Sequence, residues 1–555
     1  MIVFFDGWLL PILYAIGCAL TYCTQLSAKA DPKRRQTYWT IAQATSGLAL
    51  LGVSMSIVSA IISHQLFGAN VDALGLAVAG LVALLGWIVT NYSMRYLVGE
   101  PNQQSYVRNL LLTIACISVL VTSANLLVMA VAWGATSAGL HKLLTFYSDR
   151  KAAQIVAHKK FIACRLADAC MLIALILIFA TLGTFSLEAI QTRVHDLHNA
   201  NSGLPASMHG AMAFITLAAI IRTAQLPLHG WLIQVMEAPT PVSALLHAGI
   251  VNMGGFVLLR LADVLSLAFF SQALLVVVGS LTATIAGLVM MTRVSVKVRL
   301  AWSTCAQMGF MLLELGLGLY ELALLHLLAH SFYKSYSFLA TGDRVEQAKR
   351  RDFFAKPVAP NTKPTYPPQP VPQSKTRLPV LWYFTSALVS VALISISIKL
   401  WGFLLDPVHL SPTALAILAL GFAPLLWFET TRSLASFSRG ILNILTLTQL
   451  YLFWHLCFAA VTPQTLNPSD TAPGLATALA AWAILCVSIL YGLQGWLRTY
   501  PTGRIASRLY PWAYCGFYLD ELFTRLTFKI WPIRLTPVQA QTRVHRQSDH
   551  LGGVL

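Results

Sequence analysis

Residues 222–255 read RTAQLPLHGWLIQVMEAPTPVSALLHAGIVNMGG. The stretch is apolar enough for a membrane interior, yet it holds Arg222, His229, Glu237 and His247 among three prolines, Pro227, Pro239 and Pro241. Pro227 has no amide hydrogen to donate, so a helix running through 208–234 breaks near it. In hydrocarbon, irregular backbone is tolerated only where it lines a cavity or is covered by protein, and such breaks point to ion sites. Pro239 and Pro241 enforce an extended turn, after which a new helix begins with His247 inside it. The stretch therefore predicts broken membrane helices that carry ionisable side chains. His247 can relay protons between spans or sit hydrogen-bonded in a static core.

The rest of the chain supports a membrane setting. Its 555 residues are 57% hydrophobic and 11% charged, with a mean hydropathy of +0.67. Soluble proteins carry about 25% charged residues. Apolar runs of roughly 20 residues, the length a bilayer demands, succeed one another with little pause. They lie at 4–26, 38–64, 71–97, 107–122, 124–146, 161–184, 208–234, 242–264, 268–291, 300–319, 321–341, 379–402, 411–430, 440–461 and 473–496. The expected fold is an all-α polytopic membrane protein of about fifteen transmembrane helices. The first run carries Asp6 near its start rather than a basic stretch before it and is too long for a signal-peptide core, so it is read as a retained helix.

Basic residues mark every other connection, apart from the one after the seventh span, which is neutral to acidic. Lys29, Lys33, Arg34 and Arg35 follow the first span, Arg95 the third, and Arg150, Lys151, Lys159 and Lys160 the fifth. Arg293, Lys297 and Arg299 follow the ninth, and Arg344, Lys349, Arg350 and Arg351 the eleventh. The alternation places the N-terminus outside and the C-terminus in the cytoplasm. Residues 1–500 then form the transmembrane domain, interrupted at 343–378 by a Pro-rich cytoplasmic linker. Residues 501–555 form a cytoplasmic tail. Within it, Leu519–Phe528 predicts an amphipathic helix that lies on the membrane or docks a partner, and 539–555 read as disordered.

Several functions are disfavoured. The net charge of +17 sits in short loops rather than on one face, which argues against nucleic acid. The nine cysteines are scattered, with no CxxC pair and no zinc spacing, so neither disulfides nor a metal site is expected. Nucleotide-binding glycine motifs, phosphate loops and nucleophile elbows are missing from the sequence. The chain reads as a transporter subunit without a cofactor of its own, driven by an ion gradient or a partner.

Ionisable groups at mid-bilayer cost roughly 2.5–3.5 kcal/mol on insertion scales, so each is a candidate functional residue. In the eleventh span His326, His330 and Lys334 recur every four residues, on one helix face with about 6 Å of rise per step. Imidazoles and a buried lysine suit stepwise proton transfer; the plain alternative is a polar face packed statically against other helices. Asp168 follows Arg165 in the sixth span and is either a proton site or a counter-ion, with Arg222 as a candidate partner. Arg222 keeps its proton and sets the field for neighbours. Lys399 ends the twelfth span and either snorkels to the interface or takes part in transport.

Residues 222–255, together with RLAWSTCAQMGFMLLELG (299–316) and HLLAHSFYKSYSFLATG (326–342), resemble the core signature of proton-translocating antiporter-like subunits. Such subunits occur in respiratory complex I and in Mrp-type cation/proton antiporters. The resemblance covers roughly 70–345 and implies two inverted five-helix repeats with broken helices, the seventh span being the broken helix of the first repeat. It also implies that Asp168, Arg222, His247, His326, His330 and Lys334 lie on a polar axis. The family usually has lysine where this chain has Arg222, and glutamate after the tryptophan where it has Trp133-Gly134.

HAGIVNMGGFVLLR (247–260), the shortened C-terminal region and the missing glutamate resemble a narrower branch, the membrane subunit of DAB-type inorganic-carbon accumulation complexes. That resemblance implies a large cytoplasmic zinc protein similar to a β-carbonic anhydrase as partner. The partner would hydrate CO2 to bicarbonate, with cation flow through the membrane subunit driving the reaction and zinc held by the partner alone. The competing readings are a subunit of a complex I-like or Mrp-like assembly and a membrane anchor that does not conduct.

Overall fold

A computed structural model describes residues 8–27, 37–62, 73–147, 150–200, 203–235, 238–342, 380–404, 410–428, 434–461 and 473–531. The linker at 343–378 and the end of the tail at 539–555 lie outside the described residues. Among those described, the chain is helical and contains no β-strand, only a single bridge between Asn125 and Ser186.

The N-terminal half runs α1 (Leu9–Ser27), α2 (Thr37–Ile62), α3 (Ala73–Tyr96), α4 (Gln103–Thr122), α5 (Leu126–Leu144), α6 (Lys151–Leu182), α7 (Leu187–Asn199) and α8 (Ala206–Arg222). Short pieces follow: α9 (Gly230–Ile233), α10 (Thr240–Ala248), α11 (Met253–Arg260) and α12 (Ala262–Leu267). Then come α13 (Phe269–Met291), α14 (Val296–Gly316), α15 (Tyr320–Leu339), α16 (Val380–Leu404), α17 (Pro412–Phe422), α18 (Leu425–Phe428), α19 (Leu434–Val461) and α20 (Pro473–Thr499). Two tail helices, α21 (Arg504–Tyr514) and α22 (Leu519–Ile530), end the described chain.

All fifteen apolar stretches contain helix. Among the described residues ten helical segments, α10 and α11 counted as one, are long and apolar enough to cross a membrane, and α1, α8 and α17 supply shorter apolar segments. The difference has local causes. Interruption leaves α8 with 17 residues and α17 with 11. The helices α14 and α15 are long but carry the charged and imidazole side chains that lower their hydropathy.

The molecule exposes many large apolar side chains and buries several ionisable ones within an apolar core. Met55, Leu388 and Phe403 are 68%, 69% and 87% exposed, whereas Lys159 and Lys334 are fully buried. A water-soluble fold does not expose large apolar residues on that scale. Inside, small residues let helices touch. A β-carbon on Gly279 would lie 2.6 Å from the Gly309 carbonyl, and one on Gly309 would lie 2.7 Å from the Gly279 carbonyl. Close backbone approach between small residues is how helices associate where lipid removes the hydrophobic drive. The α13–α14 pair made in this way is the most extensive helix contact among the described residues.

The seventh stretch is broken around its proline. Helix α8 stops at Arg222, residues 223–229 are not helical, and α9 resumes at Gly230, so Pro227 falls within the gap. In the next stretch Pro239 caps α10 and Pro241 occupies its first turn, where a missing amide costs little. Further on, α10 passes through a single 3-10 turn at Ile250–Asn252 into α11. The tail helix α22 folds back onto α6 and α9.

Candidate functional site

The first cluster sits at the interruption. Arg222 ends α8 and forms an ion pair with Asp168 of α6, whose other oxygen is 2.7 Å from Arg165. Arg222 also donates to the Trp133 carbonyl at 2.6 Å and lies over the Trp133 ring at 4.7 Å. Three elements thus meet: the end of a broken helix, a carboxylate from α6 and an aromatic face from α5. A β-carbon on Gly134 would lie 3.9 Å from Asp168 Oδ1, so the carboxylate lies beside Gly134 of α5.

The second cluster is a row along α15. His326 bonds through Nδ1 to Glu314 of α14 at 3.0 Å. The His326 and His330 rings stand edge to face with centroids 6.1 Å apart. His330 is buried, and neither of its ring nitrogens has a hydrogen-bond partner among the described residues. One turn further, the Lys334 ammonium donates to Ser303 Oγ at 2.8 Å and to the Leu300 carbonyl at 3.2 Å. Nearby, His247 of α10 accepts from or donates to Thr304 Oγ1 at 3.2 Å and stacks on Phe338 at 4.4 Å. Asn252, at the joint of α10 and α11, donates to Ser331 at 2.7 Å and ties the interruption to α15.

His247, His330 and Lys334 lie within Coulombic reach of one another. None of the three has an acidic partner among the contacts described, and the acid of the row, Glu314, stands at its far end. An unpaired imidazole beside a lysine held only by neutral oxygens can gain and lose a proton without breaking a salt bridge. The row therefore has the chemistry of a proton relay, with Glu314–His326 at one end and Lys334 at the other.

Lys399 stands apart in character: it is exposed on α16 rather than buried with the row. Several groups escaped sequence reasoning. Glu314 was an unremarked acid at the end of the tenth span, although it is only 5% exposed. Glu321 pairs with His455 of α19, a residue 134 positions away. Lys159 and Lys160 were counted as loop charges; both are buried in α6. Lys160 donates to the Ser137 carbonyl at 2.8 Å, and Lys159 pairs with Asp520 of the tail at 2.9 Å. A doubled lysine at the start of an apolar run looks like a membrane boundary; only the partner on another helix reveals burial. Among the described residues no group of three or more His, Cys, Asp or Glu side chains could hold a metal ion.

Comparison with known proteins follows the same lines. Residues 123–357 match the family described as NADH:quinone oxidoreductase/Mrp antiporter, TM. The chain is 36% identical over 540 residues to a probable inorganic carbon transporter subunit DabB of Hydrogenovibrio crunogenus, covering 95% of this chain and 94% of that one. It is 36% identical over 534 residues to the probable subunit DabB2 of Halothiobacillus neapolitanus, covering 92% and 91%. A solved structure of the Mrp complex from Dietzia sp. superposes with a TM-score of 0.56 at 21% identity, over 98% of this chain but 62% of that chain; this likeness shows the fold alone.

Proposed function

The chain belongs to the DabB family of inorganic carbon transporter subunits, and we propose that it is the cation-conducting subunit of an inorganic-carbon accumulation complex, with the proton as its ion. In this reading a large cytoplasmic zinc protein similar to a β-carbonic anhydrase hydrates CO2, and ion flow through this chain drives the reaction toward bicarbonate. The hydration chemistry and the zinc belong to that partner. The chain crosses the inner membrane about fifteen times, as two inverted five-helix repeats with N-terminus outside and C-terminus inside. Residues 1–500 are the transmembrane domain and 501–555 its cytoplasmic tail.

The observation that carries the reading is the buried row Glu314–His326–His330–Lys334 beside His247. Such groups are costly inside a membrane and are retained where an ion passes. Asp168 and Arg222 set the field at the first interruption, and Lys399, exposed at the end of the twelfth span, takes part in transport from there. The match of residues 123–357 to the NADH:quinone oxidoreductase/Mrp family supports a second reading, a subunit of a complex I-like or Mrp-like assembly. Arg222, which cannot release its proton, supports a third, a non-conducting anchor.

The test is growth rescue. The chain is expressed with its cytoplasmic partner in a bacterium that lacks carbonic anhydrase and needs high CO2. Rescue in air by wild type, lost with Lys334→Ala and His330→Ala while the protein remains in the membrane, supports gradient-driven carbon accumulation. Rescue that survives both substitutions favours the anchor. No rescue by wild type returns the chain to the respiratory or antiporter reading.

A further inference from the structure

The tail carboxylate Asp520 reaches a lysine 361 residues away. Lys159 of α6 is fully buried, and its ammonium donates to the two Asp520 oxygens at 3.1 and 2.9 Å and to Gln234 Oε1 at 3.0 Å. Gln234 closes the ring by donating to Asp520 Oδ2 at 2.8 Å. The approach is possible because residue 230 is glycine: a β-carbon there would fall 1.4 Å from Asp520 Oδ1. At its far end the tail helix is held again, with Trp531 stacked on His158 at 3.9 Å and edge-on to Phe161 at 5.7 Å.

The position matters as much as the contact. Gly230 begins α9, the resumed part of the interrupted helix, and Gln234 caps its end. Lys159 precedes Asp168 by nine residues on the same helix, about 13 Å of rise, on the side of the basic loop that precedes α6. The other titratable groups facing the pair are His229, which feels the charge of both Asp520 and Lys159, and His158 under Trp531. Lys159 is fully buried while the Asp520 side chain is 25% exposed, and an ion pair with one charge desolvated is weak as a stabiliser, because desolvation offsets its attraction. Inside a membrane protein, such a pair points to an ion route.

We propose that Asp520 and Lys159 form the cytoplasmic entrance of the first half of the ion route, with the tail helix supplying the carboxylate. The Lys159 proton leaves inward toward Asp168, a proton from cytoplasmic water protonates Asp520, and transfer along the Asp520–Lys159 contact restores carboxylate and ammonium. Each cycle moves one proton and leaves both groups as they began. This rests on the ion-conducting reading above and assigns it a residue from outside the membrane-spanning part of the chain.

The experiment uses the full chain in proteoliposomes, with an entrapped pH-sensitive dye reading proton entry under an imposed potential. Protection of the tail from trypsin reports its docking. Asp520→Asn is expected to lower flux at least tenfold with the tail still protected, while Asp520→Glu keeps at least half. Wild-type flux in Asp520→Asn overturns the proposal. So does an equal loss in Trp531→Ala, which loosens the helix but keeps the carboxylate and would make the tail a brace. If wild type itself carries no protons, the ion-conducting reading falls and this one with it; if wild type conducts and Asp520→Asn is unaffected, this one alone falls.

Discussion

Asp168 and Arg222 lie 54 residues apart and meet as an ion pair where α8 ends, with Arg222 held at the same time by the Trp133 carbonyl and ring. Arginine remains charged under all working conditions, so Arg222 itself passes no proton on. Removing one partner of a buried pair costs roughly 3–5 kcal/mol when both are dry. Asp168 is 29% exposed and shared with Arg165, so the figure here falls to about 1–2 kcal/mol. Asp168→Asn and Arg222→Gln should each lower the melting temperature of the detergent-purified protein, and the double variant should lose less than the sum. Additive losses would show that the two side chains act separately.

Lys334 should be intolerant even of arginine. Its ammonium is fully buried against Ser303 Oγ and the Leu300 carbonyl, and a guanidinium at that place is larger and holds its proton. Lys334→Arg and Lys334→Ala are both expected to reduce proton flux in proteoliposomes by at least about tenfold, the size of a 1.4 kcal/mol barrier change. Normal flux in Lys334→Arg would mean that only the positive charge matters.

Glu314 is the acid of the α15 row, bonded to His326 at 3.0 Å from a neighbouring helix. Glu314→Gln keeps the shape and a hydrogen-bonding oxygen but removes the charge that accompanies an imidazolium. Flux should fall about tenfold while expression and melting temperature stay near wild type. A variant that conducts normally would take Glu314 out of the route.

The α13–α14 contact gives a prediction about stability alone. Gly309→Ala places a methyl group 2.7 Å from the Gly279 carbonyl and 2.8 Å from the Ala283 amide, both backbone atoms that cannot rotate aside. The helices must separate, at a cost of about 1–3 kcal/mol. The melting temperature should drop, whereas Gly47→Ala, where nothing lies within 4 Å, should leave it unchanged.

Much of this was legible in one dimension. Pro227, Pro239 and Pro241 announce interrupted helices because a missing amide acts locally. The spacing of His326, His330 and Lys334 announces a shared face because helix geometry is regular. What each residue touches was not legible. Glu314 looked like the polar end of a span, and Lys159 and Lys160 looked like ordinary basic residues at a membrane boundary. The tail helix read equally well as a surface helix or a docking helix; in the structure one of its faces meets α6 and α9 while Leu522 remains 72% exposed.

The amino-acid order by itself determined the apolar stretches, their breaks and the basic residues between them, because hydropathy, proline chemistry and loop charge depend on a residue and its near neighbours. Only the tertiary structure decided which charges are answered and which are left alone: Asp168 by Arg222, His326 by Glu314, Lys159 by Asp520, and His330 by no described hydrogen bond. Burial and counter-charge depend on which helices lie side by side, and that adjacency is set by packing across hundreds of residues.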